Sequence, residues 1–127
     1  MKKSTGGKDA GDTGAWAESF AQRYLTDRGL VVLRTNYRGR RGEIDLVMDH
    51  DGTLVFVEVR YRRTASHGSS AESVNIQKRT RLINTAQHFL STHHRKLGDR
   101  PCRFDVIAID GPKLSPGVQW IQHAFEA

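Results

Sequence analysis

Cysteine is all but absent from this chain. Cys102 stands alone, so no internal disulfide can form and no zinc site built from a cluster of cysteines is available. Long apolar runs are missing as well, and nothing approaches the roughly 20 apolar residues that a membrane-spanning helix requires. Behind the lysines near the start, Met1 to Asp12 offers no apolar segment, so a secretory signal is not expected. No internal repeat or low-complexity tract stands out. Acidic residues are in deficit, 14 against 20 Lys plus Arg, for a formal net charge of +6. A basic, cytoplasmic protein with no membrane partner is the expectation, and 127 residues leave room for one domain. A chain of this length buries on the order of two thirds of its unfolded surface, enough to fold without covalent or metal staples.

The positive charge is clustered. Arg34, Arg38, Arg40 and Arg41 form one group, Arg60, Arg62 and Arg63 a second, and Lys78, Arg79 and Arg81 a third. Arginine's planar fork matches phosphate oxygens better than the point charge of lysine does. One such cluster reads as a solubilising surface. Three clusters flanking the same expected strands favour a polyanion such as nucleic acid. Charge alone identifies no activity.

Hydrophobic periodicity gives the order α, β, β, β, α, β, β. Met1 to Asp12, rich in Gly, Lys and Asp, reads as a flexible lead-in, with 13–127 as a single domain. Thr13 to Arg28 is helical in pattern, with Trp16, Ala17, Phe20, Ala21, Tyr24 and Leu25 on one side and Gly29 as its stop. Strands are expected over Leu30 to Tyr37, Glu43 to Asp49 and Leu54 to Arg62, the last two joined by an Asp51-Gly52 turn. Thr64 to Ser73 reads as a polar loop. Asn75 caps a second helix to about Thr92, whose core face is Ile76, Ile83, Ala86, Phe89 and Leu90. Cys102 to Asp110 and Val118 to Phe125 complete the strands, Cys102 reading as a small core residue. Helices before and after a strand cluster imply a mixed sheet covered by helices.

The central hairpin carries the chemistry. If Asp51-Gly52 is a two-residue turn, His50 pairs with Thr53, and counting back sets Asp45 opposite Glu58 and Glu43 opposite Arg60. Directly opposed residues have Cβ atoms about 4.5–5.5 Å apart, where like charges repel. Two facing carboxylates need a compensating cation or a shared proton. A hard divalent ion such as Mg²⁺ answers that need with carboxylate oxygens and retained waters. The plainer alternative, in which Asp45 pairs with a nearby arginine, stays open. Against it stands the apolar setting of both strands, since desolvated carboxylates must be offset.

Gly42-Glu43-Ile44-Asp45-Leu46 followed by Val55-Phe56-Val57-Glu58-Val59-Arg60 resembles the signature of the YraN-like bacterial proteins. They are an uncharacterised family placed among the restriction-endonuclease-like, or PD-(D/E)xK, nucleases, near the archaeal Holliday junction resolvases. The resemblance extends from Gly14 to Leu25, with Ala17-Glu18, through Lys78 to Arg103-Phe104-Asp105-Val106. It implies an α/β fold with the restriction-endonuclease-like α-β-β-β-α-β core, a mixed sheet flanked by helices. It also implies a metal-dependent nuclease that binds Mg²⁺ or Mn²⁺ and acts on DNA, branched DNA included, and a homodimer by analogy with the resolvases. Glu18, Asp45 and Glu58 are the implied metal ligands and, with Arg60, the implied catalytic residues. Arg60 occupies the place of the superfamily's lysine. Arginine effectively never loses its proton, so Arg60 cannot be a general base, though it can hold a phosphate. Arg38, Arg40, Arg41, Arg62, Arg63, Lys78 and Arg79 are the candidate contacts to flanking phosphates. Two rival readings remain: a nucleic-acid-binding module that keeps the nuclease fold without cleaving, and a basic protein that docks an acidic protein partner. Asp105, inside an apolar strand, reads as the structural partner of an arginine.

Overall fold

The computed structural model describes residues 8–40, 42–63 and 75–126. The first seven residues of the expected lead-in, Arg41 and the expected loop from Thr64 to Ser73 lie outside them. The elements are α1 (Lys8–Thr26), β1 (Val31–Arg38), β2 (Glu43–His50), β3 (Thr53–Arg62), α2 (Ile76–Leu97), β4 (Cys102–Asp110) and β5 (Gly117–Phe125). The α/β expectation and its α-β-β-β-α-β order are borne out, with β5 added at the end. All five strands form one sheet in chain order. β1–β2, β2–β3 and β4–β5 run antiparallel, and β3–β4 runs parallel. Parallel neighbours need a long crossover, and α2 supplies it.

The sheet buries both faces. On one side Ala17, Ala21 and Leu25 of α1 pack against Leu46, Met48, Val55, Val57, Ile107 and Ile109. On the other, Leu82, Ala86 and Phe89 of α2 cover Ile44, Val47, Leu54, Phe56, Phe104 and Val106. β3 and β4 lie between two apolar layers, which is why Leu54-Val55-Phe56-Val57 and Val106-Ile107-Ala108-Ile109 read as unbroken apolar runs. The hairpin turn takes positive φ at both Asp51 (53°) and Gly52 (95°), the geometry that matches strand twist in a two-residue turn.

Four local expectations are corrected. α1 begins at Lys8 rather than Thr13, so its first turns extend into the segment expected to be a lead-in. α2 continues past Thr92 to Leu97, because Leu97 still packs against the core. It ends where Gly98 takes φ 69° and donates to the His94 carbonyl. Ile76 does not face the core: it is 76% exposed in the first turn, before α2 reaches the sheet, and Leu82 and Thr85 are buried instead. Cys102 is exposed at the start of β4 rather than in the core.

Gly42 sets how closely α2 approaches the strand that bears the acidic residues. A Cβ there would lie 3.1 Å from Thr85 Oγ1 and 3.4 Å from Arg81 Cβ. Thr85 is buried and its hydroxyl donates to the Arg81 carbonyl, so it has little room to yield. Gly42→Val is expected to cost about 1–3 kcal/mol by overpacking, read as a lower urea midpoint at unchanged slope. An unchanged midpoint would show that α2 moves away freely.

Candidate metal centre

The β2–β3 ladder follows the counted register from His50↔Thr53 to Leu46↔Val57, and its pairing ends there. Asp45 is the next residue on β2 and Glu58 the next on β3. Where the ladder stops, the backbone N–H of Val59 donates to Asp45 Oδ2 at 2.8 Å. The strands splay just where the two carboxylates sit. Glu43 does not face Arg60 as the count implied. It pairs across the other edge with Arg38 in the β1–β2 ladder, and its Oε1 lies 3.3 Å from Arg38 Nε.

Glu18 of α1 joins this end of the sheet through Asn36. The Asn36 amide donates to Glu18 Oε1 at 2.9 Å and to Glu43 Oε2 at 3.0 Å. Asn36 takes φ 50°, a left-handed conformation that asparagine tolerates better than most residues. Carboxylate oxygens of Glu18, Glu43 and Asp45 all lie within 4.8 Å of one another. This set offers hard oxygen donors and no imidazole or thiolate, which suits Mg²⁺ or Mn²⁺ rather than zinc.

Glu58 is buried at 4% exposure and turns to cations: Lys78 Nζ lies 2.8 Å from its Oε2 and Arg60 Nη1 3.5 Å. Asp45 forms no ion pair among the described residues. Burial first, then the charges of Glu58, Glu18 and Glu43, push its pKa up from 3.8 to about 8, against the lowering effect of the Val59 hydrogen bond. No cation among the described residues offsets a charge on Asp45, and the carboxyl instead holds a proton below about pH 8.

Glu18, Asp45 and Glu58 line a cleft of about 930 Å³, whose walls also include Thr13, Gly14, Arg60, Tyr61, Arg63, Lys78 and Lys113, while Glu43 lines a smaller opening beside it. Of the candidate residues, Glu18, Asp45, Glu58, Arg60, Arg63 and Lys78 meet in this cleft. The others go elsewhere. Arg38 stands over Glu43, Arg40 lines a separate cavity with Asn84, Thr85 and His88, and Arg79 lies over the Phe125 ring. Arg62 lies beside Asp110 in the β3–β4 strand register at the end of β3, and is not among the residues lining the cleft. Arg41 lies outside the described residues. Sequence reasoning passed over Glu43, Asn36 and Lys113. Glu43 had a signal, since residues two apart on a strand share a face, here with Asp45. Asn36 and Lys113 had none.

The raised pKa of Asp45 has a sign in stability. Between about pH 4 and pH 8 the folded chain holds a proton that the unfolded chain releases, so this contribution is full at acid pH and fades as pH rises towards 8. The melting temperature of metal-free protein is expected to fall from pH 5 to pH 8. Added Mn²⁺ is expected to raise it more at pH 8 than at pH 5, as followed by scanning calorimetry. An equal Mn²⁺ effect at both values would disprove the linkage.

No described helix is long and apolar enough to cross a membrane. The model of Uncharacterised protein family UPF0102 matches residues 17–109, a span from α1 to β4 that takes in Glu18, Glu43, Asp45, Glu58 and Lys78. A UPF0102 protein of Methylobacillus flagellatus is 51% identical over 111 residues, covering 87% of this chain and 94% of its own. Another, of Stutzerimonas stutzeri, is 47% identical over 115 residues, covering 91% and 95%. On this match the chain belongs to the uncharacterised family UPF0102, the YraN-like group.

Proposed function

We propose that this protein is a metal-dependent nuclease that hydrolyses phosphodiester bonds in DNA. The observation that carries the reading is the meeting of Glu18, Glu43 and Asp45, of which Glu18 and Asp45 line a cleft whose other walls bear Arg60, Arg63, Lys78 and Lys113. Negative charge concentrated in a cationic cleft suits a phosphate held through a divalent ion. When bound, such an ion polarises the phosphoryl group and lowers the pKa of a water.

The chain's own residues do the rest. Glu18, Glu43 and Asp45 supply the ion's oxygen ligands, and Asn36 holds two of those carboxylates in place. Lys78 and Arg60 face the phosphate's negative oxygens from the Glu58 side. Arg63 and Lys113 grip the adjoining backbone. Contacts of this kind position a strand without reading its sequence, so structure rather than sequence sets the preference. In the hydrolysis, the water oxygen bonds to phosphorus as one ester P–O bond breaks. The water's proton passes to solvent, and the leaving oxygen takes one up.

Arg60, in the place of the superfamily's lysine, favours a second reading: a module of the same fold that binds nucleic acid without cutting it. One experiment separates the two. Closed circular, single-stranded and branched DNA are incubated with Mg²⁺ or Mn²⁺ beside an Asp45→Ala variant. Cleavage by the wild type alone, abolished by chelator, supports the nuclease. Binding that weakens steeply with salt, with no metal-dependent product, supports the module. Equal cleavage by both proteins overturns the assignment.

A further inference from the structure

The four carboxylates at the end of the sheet are not equivalent. Glu18, Glu43 and Asp45 lie close enough to share one ion, and Glu58, although its charge acts on Asp45, is not one of that trio. Its oxygen is already occupied by a charged partner, Lys78 Nζ at 2.8 Å, with Arg60 Nη1 at 3.5 Å behind it. Lys78 is not part of the strand that carries Arg60. It comes from the first turn of α2, where Asn75 caps the helix and accepts from the Lys78 N–H at 2.9 Å. Its side chain is one-third exposed. It lines both the large cleft and a smaller opening of about 230 Å³ walled by Gly42, Glu43, Arg81 and Leu82. Asp45 and Glu58 line both spaces too. The ammonium therefore stands at the acidic centre, with open space before it.

Charge decides how many ions belong there. Four carboxylates face three cations within ion-pair reach: Arg38 on Glu43, and Lys78 and Arg60 on Glu58. One divalent ion and one phosphodiester charge bring the group to neutrality. A second divalent ion would leave two positive charges in excess and would compete with Lys78 for a buried carboxylate. Many phosphoryl-transfer sites use two metal ions about 3.5–4 Å apart to hold the attacking and leaving oxygens. Here a lysine already holds one oxygen, Oε2, of the fourth carboxylate, Glu58.

Resting on the nuclease reading, we propose that this site works with one divalent ion, and that the Lys78 ammonium, held by Glu58, is the second positive charge on the reacting phosphate. Lys78, not Arg60, then fills the role of the missing strand lysine. Its part is electrostatic: it donates hydrogen bonds to a phosphate oxygen and transfers no proton. A compact ammonium on a helix reaches the centre from the α2 side, whereas Arg60 lies further from Glu58 along the strand.

Three measurements on the full chain test this. Mn²⁺ bound per chain, counted by calorimetry and by electron paramagnetic resonance, is expected to be one, and two would overturn the proposal. Inorganic phosphate is expected to bind the Mn²⁺-loaded wild type, and Lys78→Met to weaken that binding by about tenfold or more while changing Mn²⁺ affinity by less than about threefold. Unchanged phosphate affinity overturns it. In cleavage, Lys78→Met is expected to lower kcat by about a hundredfold, with partial recovery in Lys78→Arg, and Arg60→Met to lower it by less. A larger loss from Arg60→Met than from Lys78→Met overturns the assignment of the role to Lys78. Should the wild type cleave no DNA, the nuclease reading fails, and the ion count and phosphate arm still decide for or against Lys78. Should no Mn²⁺ bind, both fail together.

Discussion

Asp45→Asn is expected to push stability and activity in opposite directions. At pH 8 the metal-free variant should melt about 5–10 °C above the wild type, while its metal-dependent cleavage falls by at least about a thousandfold. The stability gain follows from what surrounds the side chain. Burial and three neighbouring carboxylates oppose the Asp45 charge, and among the described residues the Val59 N–H alone answers it. Asparagine keeps an oxygen acceptor for that N–H and removes the charge. A displacement of pKa from 3.8 to about 8 corresponds to an energetic penalty on the order of a few kcal/mol near pH 8, and a domain of this size gains a few degrees per kcal/mol. The loss follows from the same change, since a neutral amide is a poor ligand for a hard divalent ion. Several kcal/mol of transition-state stabilisation from such an ion is worth three decades or more in rate. Calorimetry at pH 8 and a plasmid-nicking assay on the same preparations check both halves. A variant that melts lower than the wild type would mean that the carboxylate is neutralised in a way these contacts do not include.

This opposition also explains which parts of the site the sequence could announce. The hairpin register was legible, because a two-residue turn at Asp51-Gly52 leaves one way to align two apolar strands with their buried faces matched. It brought Asp45 and Glu58 to the end of the ladder, one residue beyond the last pair, although the two are not themselves paired. Glu43 did not follow from it, because counting assumes that the ladder continues, and here the strands part after Leu46↔Val57. Asn36 could not be found at all: its role depends on a positive φ and on reaching α1 and β2 at once, and neither leaves a periodic trace. Lys78 was visible as one of a basic group, yet only the packing of α2 against the sheet carries it to Glu58. Helix periodicity likewise placed Ala86 and Phe89 correctly and failed for Ile76, because the apolar pattern begins before the helix meets its partner surface. Local pattern encodes faces and registers, whereas ends of ladders and overhangs of helices are decided by tertiary contact.

Asp105→Ala is expected to destabilise the fold by about 3–5 kcal/mol and to leave Mn²⁺ affinity per folded molecule unchanged. Asp105 lies in the family-like Arg103-Phe104-Asp105-Val106 segment and is more deeply buried than Asp45, at 1% exposure. Its surroundings are the reverse. Arg103 Nε donates to both of its oxygens at 3.0 and 3.2 Å, Trp120 Nε1 to Oδ2 at 2.9 Å, and the His123 N–H to Oδ1 at 3.0 Å. His123 has φ 53°, and the β4–β5 register shifts between Phe104 and Val106, so this carboxylate pins an irregularity of the edge strand. Alanine would strand a partly buried guanidinium, an indole N–H and a backbone N–H together, and each such loss costs about 1–3 kcal/mol. Asp105→Asn, which keeps one acceptor and turns an amide donor towards Arg103, is expected to fall between wild type and alanine. Urea denaturation ranks the three proteins, and Mn²⁺ titration below the unfolding transition reads the site. A loss of Mn²⁺ binding in folded Asp105→Asn would show that β4 positions the metal centre. A stability cost well under 3 kcal/mol in the alanine variant would show that β5 rearranges to shelter the exposed donors. Two aspartates, one half-buried and one buried, show opposite consequences of neutralisation: the number of donors aimed at each oxygen separates a carboxylate that holds the fold from one suited to a cation.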